Sequence, residues 1–242
     1  MLEESQSEMV FASQQPLTLA VDIGGSGVKV MILDPTGTPL SERDRLETPE
    51  PATPDSVLEA ILQLAKGKSF DRVSVGFPGV VRQGTIYTAA NLDSSWIGFN
   101  LEAALAKALG KPVRVINDAD MQGLGAIDGQ GVELMMTLGT GTGFALFING
   151  ILVPNLELGH HPFRKGETYE QQLGRAALDA VGKKRWNERL QKAIATLSHA
   201  FNYDRLYLGG GNAKKIEITL PENIRIVPNV SGLLGGIALW KE

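Results

Sequence analysis

The sequence predicts an α/β protein of two lobes with a cleft between them, and three observations carry that expectation. Apolar runs of strand length alternate with segments of helical period along the 242 residues, the pattern of sheets covered by helices. Each half opens with a strand, a turn rich in Gly, Ser or Thr, and a second strand. Asp22-Ile23-Gly24-Gly25-Ser26-Gly27 carries the first turn, and Leu138-Gly139-Thr140-Gly141-Thr142-Gly143 the second. Each half later adds helices, so the chain reads as an architectural duplication with its boundary near Asp118 to Gly131. The expected division is a flexible tail over 1–16, an N-terminal lobe over 17–118 and a C-terminal lobe over 119–242. The terminal helix expected over 231–240 is free to pack back on the first lobe.

Taken in order, Leu17 to Ile23 is an apolar run ending at glycines and reads as a buried strand, with Val28 to Leu33 as the next. Pro35-Thr36-Gly37-Thr38 supplies the turn to a third strand. Thr53 caps a helix with Pro54 at its first position, and Val57, Leu58, Ile61, Leu62 and Leu64 or Ala65 give it an apolar face. Arg72 to Gly76 is a strand that runs into Phe77-Pro78-Gly79. Asn100 caps a helix through Leu101, Leu105 and Leu109, and Gly110 stops it. Val113 to Ile116 then delivers Asn117-Asp118 to the end of a short buried strand. In the second half, Glu133 to Leu138, Phe144 to Ile148 and Ile151 to Val153 read as strands. Helices are expected over Tyr169 to Val181 and Trp186 to Phe201. Strands follow at Arg205 to Leu208, entering Gly209-Gly210-Gly211-Asn212, and at Ile224 to Val227, before Ser231 starts the terminal helix.

Composition narrows the function. A net charge of −4 gives no general attraction for nucleic acid or an anionic membrane. A polyanionic substrate would need local basic groups. With no cysteine there is no disulfide and no thiolate zinc site. The first residues lack the basic start and apolar run of a secretory signal, and no apolar stretch approaches the roughly 20 residues needed to cross a bilayer. A cytoplasmic protein is the expectation.

Several constellations carry chemistry. The two glycine turns let backbone N–H groups approach phosphate oxygens, and Ser26, Thr140 and Thr142 add hydroxyl donors. Asp22 ends the first strand, where a carboxylate can orient hydrated Mg²⁺, and Lys29 can point toward the same phosphates. Each turn alone reads first as an ordinary hairpin, and neither is a P-loop or a G-x-G-x-x-G fingerprint; the pair in equivalent places is the specific signal. Asp118 is a candidate general base for a hydroxyl nucleophile, while Asn117-Asp118 is equally well suited to cap a helix. Glu157 and His160 can bracket neighbouring sugar hydroxyls. A metal site built on His160-His161 competes, but no second pair at ligand spacing follows. Asn91 and Trp96 offer an amide and an aromatic wall, or else a turn residue and a core residue. The runs Lys183-Lys184-Arg185 and Lys214-Lys215 read as solvated surface.

These residues together resemble the ROK sugar kinases, a family of the actin-like ATPase superfamily with its ribonuclease H-like lobes. The likeness rests on Asp22 to Lys29, Gly76-Phe77-Pro78-Gly79, Asn91 to Trp96, Asn117-Asp118, Leu138 to Gly143, Glu157 to His160 and Gly209-Gly210-Gly211, in that order. It extends from about Leu17 to Trp240. Within the family the polyphosphate glucokinases are most similar, through Thr137 to Gly143, Ala145-Leu146-Phe147, Val153 to His160 and the Asp22 to Lys29 segment. The resemblance implies Asp118 as base and Gly79, Asn91, Asn117, Glu157, His160 and Glu170 as glucose contacts. Glu170 enters through Tyr169 to Gly174, with Leu173 where the family has serine. It implies donor binding by Asp22, Gly24, Gly25, Ser26, Gly27, Lys29, Gly139, Thr140, Gly141, Thr142, Gly143, Gly210 and Gly211, with Mg²⁺ near Asp22. Many members carry a cysteine-rich zinc loop after Glu-x-Gly-His. Here Arg164-Lys165-Gly166-Glu167-Thr168 replaces it, so no zinc site is carried over and His160 must be oriented by protein contacts.

The implied reaction is phosphoryl transfer from polyphosphate, and also from ATP, to the 6-hydroxyl of glucose in a cytoplasmic homodimer. Closure of the lobes on glucose would exclude water. A strictly ATP-dependent hexose kinase is the first alternative, since Gly209 to Asn212 resembles the family's adenosine turn. The second is a sugar-sensing repressor, disfavoured by the acidic balance and by the sixteen residues ahead of the first strand. An actin-like filament protein would have no need of Glu157, His160 and Glu170 together.

Overall fold

Two five-stranded sheets built to one plan form the frame. The computed structural model describes residues 15–90, 92–228 and 230–241. In the first half, β1 (Thr18–Gly24), β2 (Gly27–Leu33), β3 (Asp44–Leu46), β4 (Arg72–Phe77) and β7 (Val113–Asn117) lie in the order β3-β2-β1-β4-β7. A short hairpin of β5 (Val81–Arg82) and β6 (Thr85–Ile86) stands apart from that sheet. The second half repeats the order as β10-β9-β8-β13-β14, from β8 (Val132–Leu138), β9 (Thr142–Ile148), β10 (Ile151–Val153), β13 (Arg205–Gly209) and β14 (Ile224–Ile226). Its own side hairpin is β11 (Pro162–Arg164) with β12 (Glu167–Thr168). In both sheets the first three strands meander antiparallel and the last two join in parallel. The duplication legible in the pattern is therefore a duplication of topology.

Helices cover the sheets as their caps and apolar faces dictate. In α1 (Pro54–Ala65) the Thr53 hydroxyl accepts from the Ser56 N–H, and Val57, Ala60, Ile61 and Leu64 are buried. Leu58 is only partly covered and Leu62 faces solvent, so the helix turns a narrower stripe inward than expected. In α2 (Leu101–Leu109), Asn100 caps the start and Gly110 ends it in the left-handed region. Each sheet packs its own core: Ile23, Val30, Val75, Phe77 and Trp96 in the first half, Leu134, Met136, Phe144, Trp186 and Leu206 in the second.

Three features join the halves. Helix α3 (Asp118–Leu124) begins where β7 ends and packs on β4 and β7 of one sheet and β8 and β9 of the other. The connection that follows is pinned by Glu133, wholly buried, whose carboxylate accepts from the Asp128, Gly129 and Gln130 N–H groups and the Tyr207 hydroxyl. Four donors satisfy the carboxylate, so its burial costs little. The chain end then returns to the first sheet: α6 (Ser231–Leu234) and the 3₁₀ turn Gly235–Trp240 set Leu233 and Ile237 against Ala20, Met31 and Leu33. Trp240 donates to Ser74 Oγ at 2.8 Å, and the Arg72 and Arg114 guanidiniums lie 5.1 and 4.6 Å from its ring centroid.

Two helix expectations need correction. The segment expected as one helix over Tyr169 to Val181 breaks at Gly174 into α4 (Tyr169–Leu173) and α5 (Arg175–Phe201). A Cβ at Gly174 would stand 2.8 Å from the Thr140 carbonyl, because the second glycine turn packs there. Within α5 the helical backbone is interrupted at Gly182 (φ 76°, ψ 161°), so the expected separation of two helices after Val181 is present as a kink. The terminal segment is α-helical only to Leu234 and 3₁₀ beyond it.

Candidate active site

Between the sheets lies a cleft of about 570 Å³. Of the described residues singled out from the sequence as site residues, all line it except Gly27 and the alternative wall residue Trp96. That glycine sits at the hairpin with its Cα toward Arg45, where a Cβ would come within 2.5 Å of Nε. Asn91 lies outside the described residues, although Thr88 and Ala90 of its loop do line the cleft. Trp96 does not. It is wholly buried against Phe77 and Phe99, with its indole N–H on the Ala52 carbonyl, and belongs to the core. A larger hollow of about 1120 Å³ lies elsewhere, between α1 and the end of α2, and holds none of the candidates.

Asp118 lines the cleft because strand β7 ends at Asn117, just before it. Asn117 caps α3: its Oδ1 accepts from the Ala119 and Asp120 N–H groups at 2.8 and 3.1 Å, and its Nδ2 donates to the Gly79 carbonyl. The capping reading is thus correct for Asn117, and the cap aims the next residue into the cleft. Burial first, and the Asp22 carboxylate next, push the Asp118 carboxyl up to about 7, against the N–H of Ala119 that favours its anion. Asp120 and Glu157 add to the rise. A carboxyl so placed can take a proton near neutral pH.

One wall of the cleft is made by the two turns. Asp22 and Lys29 are cross-strand partners on β1 and β2, and their side chains meet at 2.6 Å. The β8–β9 turn has no such pair. Its Thr142 N–H donates to Glu170 Oε2 at 3.2 Å and its Gly143 N–H to Thr137 Oγ1 at 3.0 Å. Glycines from two other segments let it sit backbone against backbone: a Cβ on Gly159 would meet the Thr142 carbonyl oxygen at 2.0 Å, and one on Gly210 the Leu138 carbonyl oxygen at 2.4 Å. Asn212 donates from its backbone to Leu138 and from Nδ2 to Gly139, both at 2.8 Å, and takes the Arg175 Nε–H on Oδ1. Two buried donors facing the cleft, Thr142 Oγ1 and Gln122 Nε2, have no partner among the described residues. Unpaired buried donors beside a Gly/Thr turn suit an incoming phosphate oxygen.

The other wall carries the polar cluster. Glu157 Oε2 lies 3.8 Å from His160 Nε2, an ion pair only when the imidazole is protonated. Burial raises the Glu157 carboxyl above the usual range, with His160 opposing and Glu170 adding to the rise. Glu170 stands in the first turn of α4, whose start is fixed by the capping box of Thr168 and Gln171. The short β11–β12 hairpin stacks Phe163 on Tyr169 at 4.5 Å, and Arg164 donates to Gln172. His161 is exposed beside it. Among the described residues no three His, Asp or Glu side chains converge on a metal position.

Four participants escaped the sequence reading. Gln122 is one turn along α3 from Asp118, and Thr137 enters the sequence reading only within the family-like run Thr137 to Gly143, with no role assigned to it. Arg175 follows Gly174, and its backbone N–H donates to the Thr140 carbonyl. Asp120, 1% exposed, accepts the Asn155 N–H on Oδ2 while Oδ1 has no partner among the described residues. Burial pushes its carboxyl up to about 7, with the Asn155 N–H opposing and Glu157 adding. The helical period points Gln122 to the face of Asp118. Nothing in the sequence distinguished the other three.

Comparison with known proteins agrees with this geometry. Residues 18–167 match the family model described as ROK family. A polyphosphate glucokinase of Mycobacterium tuberculosis is 34% identical over 250 residues, spanning 95% of this chain and 93% of the relative. The crystal structure of the inorganic polyphosphate/ATP-glucomannokinase from Arthrobacter sp. strain KM superimposes with a TM-score of 0.84 at 36% identity, covering 93% of this chain and 100% of that one. A ROK family glucokinase from Streptomyces griseus, in complex with glucose and AMPPNP, shares the fold with a TM-score of 0.76 at 21% identity, over 92% and 98% of the two chains.

Proposed function

This chain belongs to the ROK family, and from that premise we propose that it transfers the terminal phosphoryl group of inorganic polyphosphate to the 6-hydroxyl of glucose. The observation that carries the reading is that Asp118, the unpartnered donors of Thr142 and Gln122, and the Glu157–His160–Glu170 cluster line one cleft. Glucose would lie against Gly79, Asn117, Glu157, His160 and Glu170, with its 6-hydroxyl at the Asp118 carboxylate. As the new O–P bond forms, Asp118 takes the hydroxyl proton, and the P–O bond to the chain breaks with its electron pair leaving on the shortened polyphosphate. The β1–β2 and β8–β9 turns would hold the donor, and lobes over 17–118 and 119–242 would close on it. Mg²⁺, implied by the resemblance, suits Asp22 through water and would neutralise donor charge when bound. ATP is proposed as a second donor, supported by the presence of Gly210 and Gly211 in the cleft. The protein is further proposed to be a cytoplasmic homodimer. No helix among the described residues is long and apolar enough to cross a membrane.

A kinase assay crossing glucose and mannose with polyphosphate and ATP tests the reading. Glucose 6-phosphate formed from polyphosphate supports it. Product from ATP alone would leave a strictly ATP-dependent glucokinase, and no product from either donor would overturn the assignment as a kinase.

A further inference from the structure

Both walls of the sugar side hang from one turn of helix. Asn117, the cap of α3, holds the Gly79 carbonyl of the first half. Three residues on, Asp120 accepts the N–H of Asn155, which belongs to the loop leading to Glu157 in the second half. Asn155 then bolts the two walls together, since its Oδ1 accepts the Val81 N–H at 2.9 Å and its Nδ2 donates to the Val81 carbonyl at 3.0 Å. This amide pairs with a backbone unit of β5 as a strand would. Asn155 has φ 61°, a left-handed conformation that asparagine tolerates better than most side chains but that still needs support. The support is those three hydrogen bonds.

We infer that Asp120 and Asn155 are positioning residues that hold the hexose pocket as one preassembled unit on the first turn of α3. The inference rests on the sugar-kinase reading above. Neither residue lines the cleft, so neither touches the sugar. They act through Glu157, two residues beyond Asn155, and through the 79–81 segment. None of these hydrogen bonds is made to the phosphate turns, so the bolt is expected to act on the hexose side first. The interaction at Asp120 requires an acceptor oxygen rather than a charge, because its partner is a neutral backbone N–H. An asparagine in its place keeps the acceptor, and alanine removes it.

The test uses the full chain, with glucose binding measured by calorimetry without donor and KM measured for glucose and polyphosphate separately. For Asp120→Ala and Asn155→Ala, glucose affinity is expected to fall tenfold or more while the polyphosphate KM stays within twofold of the parent. Asp120→Asn is expected to restore glucose affinity to within threefold. Should Asp120→Ala fail to fold, Asn155→Ala in its partly exposed loop and Asp120→Asn decide the matter alone. Unchanged glucose affinity in Asn155→Ala overturns the positioning role, as does an Asp120→Asn variant no better than the alanine. Parallel loss of donor KM overturns the expectation that the bolt acts on the hexose side first. A parent that binds no hexose at all would instead sink the sugar-kinase reading itself.

Discussion

The β1–β2 and β8–β9 turns hold the same place in two sheets of one strand order, yet they are built on different physics. The first closes in two residues between Gly24 and Gly27 and presents a charged pair, Asp22 with Lys29. The second closes in three between Leu138 and Thr142, presents hydroxyls, and is held by backbone packing against Gly159 and Gly210 and by the Asn212 amide. Duplication has supplied the frame, and the side chains have divided the work. The first turn depends on what its side chains carry. The second depends on how closely its backbone can be approached.

The largest effect is expected between the turns rather than in either. Asp118→Asn keeps the shape and removes the base, so turnover should fall by about 10²–10⁴, with glucose binding retained. Turnover within tenfold of the parent would show that the two turns position the reactants without a base. The same change should stabilise the protein. A carboxyl raised from 3.8 to about 7 binds its proton more tightly folded than unfolded, so its contribution falls as pH rises between those values. Thermal melts should therefore show Asp118→Asn gaining over the parent at pH 8 and not at pH 4.

Next in size is the contrast in backbone tolerance. Gly159→Ala puts a methyl 2.0 Å from the Thr142 carbonyl oxygen, whereas at Gly24 the nearest contact is 3.2 Å. Gly159→Ala should cost about 1–3 kcal/mol by overpacking, and Gly24→Ala less than about 1 kcal/mol, both read by denaturant titration. Equal costs would erase the distinction between the turns. The smallest effect is expected at Thr142. Thr142→Val removes an unpartnered buried hydroxyl and should raise the donor KM roughly threefold to tenfold, as for one hydrogen bond. Glucose KM should not move, and an unchanged donor KM would mean that the hydroxyl does not meet the donor.

Much of this frame could be read from residues in order. Caps at Thr53 and Asn100 and the stop at Gly110 fall where the chain has them, because capping is a local interaction. The break at Gly174 was not legible, since it answers to the Thr140 carbonyl from another segment. Trp96 read equally as cleft wall or core, and only packing on Phe77 and Phe99 settles it. Within the site, glycines and hydroxyls in short motifs were visible. Asp120 and Arg175 were not, because their partners, Asn155 and Asn212, lie 35 and 37 residues away. Sequence spacing reports on neighbours, whereas these bonds join segments far apart in the chain.

The central claim is that Asp118 works as a base tuned by its burial and by the Asp22 carboxylate. Its most direct test is the pH dependence of kcat/KM for glucose at saturating donor, which reports the ionisation of the donor-bound enzyme before glucose binds. The account predicts a rate that rises with unit slope to a plateau, turning near the value of about 7 set by the cleft, and a residual Asp118→Asn rate without that limb. A limb turning near the ordinary carboxylate value, or one that persists unchanged in Asp118→Asn, would contradict it.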